Sequence, residues 1–255
     1  MTVPPPARPG KPRAGLLITF EGGDGVGKTT QLDLLATTLA AARISYRRTL
    51  EPGGTLLGQE IRRLLLHGGE VTPRAEALLY AADRAHHVDT VIRPALAEGA
   101  VVVCDRYLDS SVAYQGAARA LGPTEVRDLS LWATGGLLPE LTILLDADPA
   151  LARQRTAVRG TTDRLEREPS SFHHALREQF LTLAAAEPER FTVVDACQPV
   201  AQVTQAVNQA VGRLLAAHQG RVRREDGSPQ GAGTAFTVAA QRLQGGADPE
   251  CGERP

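Results

Sequence analysis

Residues 18–31 read ITFEGGDGVGKTTQ, with four glycines in six positions directly before a lysine and two threonines. Glycine is entropically costly to order and reaches dihedrals that other residues avoid. The run therefore implies unusual backbone angles or a very close approach to a bound group. Gly22, Gly23, Asp24, Gly25, Val26, Gly27, Lys28 and Thr29 satisfy the spacing G-x-x-x-x-G-K-[ST] of a phosphate-binding P-loop. In that arrangement backbone N–H groups curl around a phosphate and the following helix turns its positive end toward it. The Lys28 ammonium would reach the outer phosphates, the Thr29 hydroxyl would hold a magnesium ion, and Thr30 would follow in the first helical turn. The bland alternative is a glycine turn with a solvated lysine. The spacing arises by chance in a chain of this length on the order of one time in a hundred.

A second dense stretch is VVVCDRYLDSSVAYQG, residues 101–116. An apolar run ends in Asp105, with Arg106 and Tyr107 at its tip. Asp105 could hold the metal or its water as a Walker-B carboxylate does. Arg106 could clamp a phosphate with its planar fork. A strand-end salt bridge is the competing reading of the same residues.

These groups need elements to hold them. LLITFE (16–21), ISYRRTL (44–50), AVVVCD (100–105), LTILLD (141–146) and FTVVDA (191–196) read as strands. Helical patterns fall at 55–66, 73–98, 109–119, 124–134, 149–158, 170–186 and 199–217. Strands alternating with helices predict an α/β chain with a five-stranded parallel sheet covered on both faces, the three-layer P-loop architecture. Glu21, Asp105, Asp146 and Asp195 close strands, where ligands of such sheets bind. The expected organisation is a flexible Pro-rich leader over 1–14, one domain over 15–217, and a mostly disordered tail over 218–255, in which TAFTVAAQRL could form a short helix.

The 255 residues carry a net charge of −1, so there is no basic field for nucleic acid. No apolar run approaches the ~20 residues of a membrane span, and the N-terminus has no apolar signal core. Cys104, Cys197 and Cys251 are odd in number and form no metal-ligand pattern, as expected of reduced thiols in a cytoplasmic protein.

The segments FEGGDGVGKTTQ, EPGGTLLGQEIRRLLL, LLYAADRAHHVDTVIRPAL, DRYLDSSVAYQG and RGTTDRLE together resemble the thymidylate kinase family, in its order and at about its spacing. The likeness spans roughly residues 15–215, and the DRYLDSSVAYQ run is its most diagnostic part. It implies ATP and Mg²⁺ at the P-loop, dTMP as acceptor, and a homodimer. It places Asp24 near the nucleotide sugar and the metal, and Arg62 and Arg106 on the acceptor phosphate. Tyr80 would stack on thymine and Arg84 would bond the base. Glu51, Asp105, Tyr107, Ser111 and Gln115 would line the acceptor pocket, with Tyr114 against a ribose 2′-hydroxyl. Arg159, Asp163, Arg164 and Glu166 would belong to the lid, with Glu166 also near the metal. By the residues alone, Tyr80 could equally be a core aromatic, Arg84 a partner of Asp83 or Asp89 on a solvated face, and the lid a charged surface loop.

Two departures stand out. Gly25 and Val26 leave the P-loop without an arginine, so Arg159 or Arg164 is expected to stabilise the transferring group. Leu50 stands where the family usually has arginine, so either Arg47 or Arg48 substitutes or that contact is lost. The competing classes are a P-loop kinase for a nucleoside or another base, a guanine-nucleotide switch, and a family member that binds without turnover. The switch reading lacks an N-K-x-D tetrapeptide.

Overall fold

The computed structural model describes residues 15–157, 164–165, 167–218, 221–227 and 231–245. In chain order the elements are β1 (Leu16–Glu21), α1 (Lys28–Ala41), β2 (Tyr46–Leu50), α2 (Leu56–His67), α3 (Pro73–His87), α4 (Arg93–Ala97), β3 (Val101–Asp105), α5 (Leu108–Ser111), α6 (Pro123–Thr134), β4 (Leu141–Asp146), α7 (Pro149–Ala157), α8 (Ser170–Ala186), β5 (Phe191–Asp195), α9 (Val200–Ala217) and α10 (Ala232–Gly245). The five strands form one parallel sheet in the order β2-β3-β1-β4-β5.

Register levels the ends that matter. Asp105 pairs with Phe20 on one side and Leu50 on the other, so β1, β2 and β3 finish together. The chain leaves β1 between β3 and β4, the switch point at which such sheets open a crevice. Every residue of β1 is buried. Leu16, Ile18 and Phe20 face a cluster with Leu32, Leu35 and Val207, while Leu17 faces the opposite cluster with Val102, Leu144 and Phe180. The continuous apolar reading of these strands follows from burial on both faces.

The segment 73–98 is helical throughout but not uniform. Between α3 and α4 it widens over Val88–Ile92, where the Arg93 N–H bonds to Val88 O, five residues back. Pro94 carries no N–H and its ring cannot sit against a tight preceding turn, which accounts for the wider one. A second wide turn, Val112–Ala118, continues α5.

The described part of the tail after 217 is packed rather than mostly disordered, and α10 takes in the TAFTVAAQRL stretch that could form a short helix. Ile44 pairs with Arg224 in an antiparallel bridge. The Ser45 N–H bonds to Arg223 O at 3.0 Å, and the Arg223 N–H to Gly99 O at 2.8 Å. α10 then packs on α9 and α1, burying Val222, Ala232, Phe236 and Ala239 in the first cluster. Ala232, Phe236 and Ala239–Ala240 recur at helical spacing, but the stripe is mostly alanine within a Gly- and Gln-rich stretch. Its apolar signal is weak because one phenylalanine carries most of it. The leader 1–14 and the lid residues Arg159, Asp163 and Glu166 lie outside the described residues.

Candidate active site

The turn after β1 is built by close approach. A Cβ on Gly22, whose φ is +128°, would meet Leu145 O at 2.4 Å. Gly27 caps the start of α1 at φ 99°, a left-handed conformation that carries no steric penalty for glycine. Lys28 folds back over the loop, and Nζ donates to Gly22 O at 3.1 Å and Gly23 O at 2.7 Å. Burial, and then the neighbouring Arg106, lower its pKa to about 8. Lys28, Thr29 and Thr30 line a cavity of about 550 Å³ with Asp24, Gly25, Gly27, Asp105 and Arg106. One oxygen of Asp105, Oδ1, is buried there without a hydrogen-bond partner. An orphaned carboxylate oxygen in a phosphate-sized cavity that Thr29 also lines fits a hard divalent cation, which takes oxygen ligands.

Arg106 links this cavity to a second one. Its φ of 66° is left-handed, which is strained for a bulky side chain and common at functional sites. Its N–H is held by Phe20 O at 2.9 Å. The guanidinium donates to Asp24 Oδ1 at 2.6 Å, Gly22 O at 2.8 Å and Ser110 Oγ at 3.1 Å. The Tyr114 hydroxyl donates to the other Asp24 oxygen at 2.9 Å. Burial opposes the Asp24 charge, but Arg106 and Lys28 outweigh it and bring the pKa to about 2.

The second cavity, about 70 Å³, is lined by Asp24, Glu51, Arg62, Tyr80, Arg84, Arg106, Tyr107, Ser111, Tyr114 and Gln115. The structure thus brings the expected acceptor residues together, with Asp105 in the adjoining cavity. Arg84 is not on a solvated face. It is 1% exposed and donates to Glu51 at 2.7 Å, to Ser130 and Ser111 at 3.1 and 3.0 Å, and to Tyr107 O at 3.2 Å. The other Glu51 oxygen meets His87 Nδ1 at 2.9 Å, and His87 Nε2 meets the Thr49 hydroxyl at 2.6 Å. Glu51 thereby holds two α3 side chains against the end of β2. The Tyr107 phenol turns away and donates to Leu137 O at 3.1 Å. Tyr107 therefore offers the cavity wall its ring and backbone rather than its hydroxyl.

Beneath Arg106, Glu21 accepts the Tyr107 and Ser110 N–H groups at 2.8 and 3.3 Å and pairs with the Ser110 hydroxyl at 2.5 Å. Burial, and then the charge of Asp109, raise its pKa to about 8. Glu21 thus fixes the bend that carries Arg106.

Neither neighbouring arginine replaces the one missing at 50. Leu50 lines the larger cavity and is 37% exposed. Arg48 shares its face of β2 but is ion-paired to Asp33 of α1, and Arg47 alternates to the other face. Arg164 pairs with Glu76 and donates to Leu65 O at 3.0 Å, on the acceptor side rather than at the P-loop. The expectation that it faces the transferring group does not hold in this arrangement.

Sequence reasoning missed Arg155, which lines the P-loop cavity from α7 and donates to Ala196 O at 3.0 Å. Its signal was placement on the first helix after a strand that ends in Asp146. It also missed Glu76 and Ser110, whose partners are far away in sequence. A third cavity, about 40 Å³, lies behind the loop against Val26, Leu145 and Phe180, with His173 Nε2 buried and unpartnered on its wall.

Comparison with known proteins agrees with this geometry. The chain is 60% identical over 205 residues to a thymidylate kinase of Clavibacter sepedonicus, which takes in 80% of this chain and 97% of that protein. It is 62% identical over 193 residues to one of Leifsonia xyli, covering 75% and 91%. It is 53% identical over 186 residues to one of Deinococcus radiodurans, covering 72% and 90%. The sequence model named Thymidylate kinase matches residues 20–207, a span that holds the P-loop, both cavities and Arg106 between them, and the chain belongs to that family.

Proposed function

We propose that this protein transfers the γ-phosphoryl group of ATP to dTMP, giving dTDP. The observation that carries the reading is the pair of adjoining cavities, which share Asp24, Glu51, Arg62 and Arg106. One is lined by a P-loop. The other is lined by an aromatic ring, amide and hydroxyl groups, and arginines, as a nucleotide with its own phosphate requires.

Phosphoryl transfer depends on positioning and on neutralising spread charge. Lys28 and Arg155 line the cavity of the P-loop, while Arg62 and Arg106 line both cavities and would meet the donor and acceptor phosphates. Tyr80 offers a base its π face, worth roughly 1–3 kcal/mol. The acceptor phosphate is already ionised, so no general base is required. Thr29 and Asp105 would hold Mg²⁺, which when bound supplies positive charge beside the phosphate oxygens. Asp24 is committed to Arg106 and Tyr114, so we assign it to positioning rather than to metal ligation. Arg159 and Glu166 remain lid proposals, with Arg159 the arginine for the transferring group.

The exposed Leu56, Leu57, Leu64, Leu78 and Trp132 lie on α2, α3 and α6, which pack side by side. Burying them against a second copy supports a homodimer. No helix among the described residues is long and apolar enough to cross a membrane.

The test is ADP release with ATP and Mg²⁺ against dTMP, dUMP, dCMP, dGMP, AMP and thymidine. Turnover with dTMP far above the rest is expected. A purine monophosphate or thymidine as best acceptor would overturn the acceptor assignment and leave the P-loop reading intact.

A further inference from the structure

Glu76 sits in the first turn of α3 and is fully buried. Its Oε1 accepts the Gln115 Nε2 amide at 2.7 Å, and its Oε2 is paired with Arg164. Arg119 Nε lies 3.6 Å from Oε1. Gln115 is 1% exposed and lines the acceptor cavity beside Ser111 and Arg84.

An ionised carboxylate only accepts hydrogen bonds. The Gln115 amide must therefore turn its NH₂ to Glu76, because the flipped amide would set an oxygen against a buried negative charge. Its carbonyl oxygen is the atom left over, and no hydrogen bond among the described residues occupies it. On its own, a glutamine at a cavity wall could present either end to a ligand.

We propose that Glu76 is a specificity-positioning residue. It locks Gln115 with the carbonyl oxygen toward the bound base, so that the cavity selects pyrimidines presenting an N–H donor there. Thymine and uracil carry a proton on N3, whereas cytosine carries a lone pair that would face the oxygen. A site with a fixed buried acceptor rejects a ligand that cannot donate to it, because the acceptor is then left unpaired. Arg164, on the segment between α7 and α8, holds the other oxygen of the same carboxylate. The placement of Arg164 and the orientation of the amide thus depend on one side chain. The inference rests on the dTMP reading and says how that site chooses its base.

The test compares kcat/KM for dTMP and dCMP in wild type and Glu76→Gln, with Tm measured on both. Glutamine keeps the volume but can pair with Gln115 in either orientation. The expected result is that the preference for dTMP over dCMP falls about tenfold or more, mainly through the KM for dTMP. Loss of both activities in equal proportion, with the preference intact, would overturn the inference and assign Glu76 to packing alone. Side-chain amide NMR on the wild-type protein gives a readout that needs no variant. The Gln115 NH₂ resonances should keep their hydrogen-bonded shifts when dTMP is added, whereas a large movement of both would mean that the NH₂ faces the base. A wild type that uses neither pyrimidine sinks the dTMP reading and this inference together. A wild type that prefers dTMP, with its preference surviving Glu76→Gln, sinks only the inference.

Discussion

Arg106, at the end of β3, is held by Asp24 of the P-loop at 2.6 Å, across 82 residues of sequence. The loop that faces the donor phosphates therefore also aims the cation that faces the acceptor. The same aspartate receives the Tyr114 hydroxyl and opposes the lowering of the Lys28 pKa by burial and Arg106. Replacing Asp24 with Asn should lower kcat about 10- to 100-fold, the worth of one charged hydrogen bond of roughly 1.5–3 kcal/mol. It should also move the alkaline limb of the kcat/KM profile to lower pH, because Lys28 loses a charge that favours its proton. An unmoved limb would show that Lys28 does not set it.

Glu21 makes stability depend on pH in a direction unusual for a carboxyl. Its pKa is raised from 4.5 to about 8 in the folded protein, so between those values the folded state holds the extra proton. The stabilisation is fully present below 4.5 and is lost as pH rises through about 8. Denaturant titrations at several pH values across that window should show wild type weakening with pH. Glu21→Gln should flatten the trend, and a variant with the same slope as wild type would assign the dependence to another group.

Leu50 leaves an apolar side chain on the wall of the phosphate cavity. Leu50→Arg should raise kcat/KM for dTMP about tenfold, since about 1.4 kcal/mol corresponds to a factor of ten and one charged hydrogen bond can supply it. No change would mean that Arg62 and Arg106 already saturate the acceptor phosphate.

Phe236 is fully buried between α10 and the first core cluster. Phe236→Ala should cost about 3–5 kcal/mol of stability while leaving the KM for dTMP unchanged, because neither cavity at the strand ends is lined by α10. A Tm equal to wild type would mean that α10 does not stay docked in solution.

The sheet and the P-loop were legible in the sequence because each obeys a strict physical demand. β1, β3 and β4 are buried on both faces and so read as unbroken apolar runs, and the P-loop spacing is dictated by a phosphate. The residues alone leave Arg84 open between the acceptor pocket and a solvated face because its partners, Glu51, Ser111 and Ser130, come from three other segments. A charged residue with neighbouring acids in sequence gives no sign that it will be buried. Arg155 and Glu76 were missed because each acts through a contact made only once helices pack. The sequence offers α10 only as a possible short helix over TAFTVAAQRL, and its packing stays hidden because alanine and a single phenylalanine bury area without raising the local apolar content.

α10 lies beyond the span matched by the family, yet its side chains fill the core behind the very helix that starts at Lys28. A premature stop codon shortly after His218 would thus spare every residue of both cavities and still produce a polypeptide with an open flank. The lesion would be one of shelf life inside the cell, read as protein abundance, and a purified survivor would still show ordinary affinity for its nucleotides.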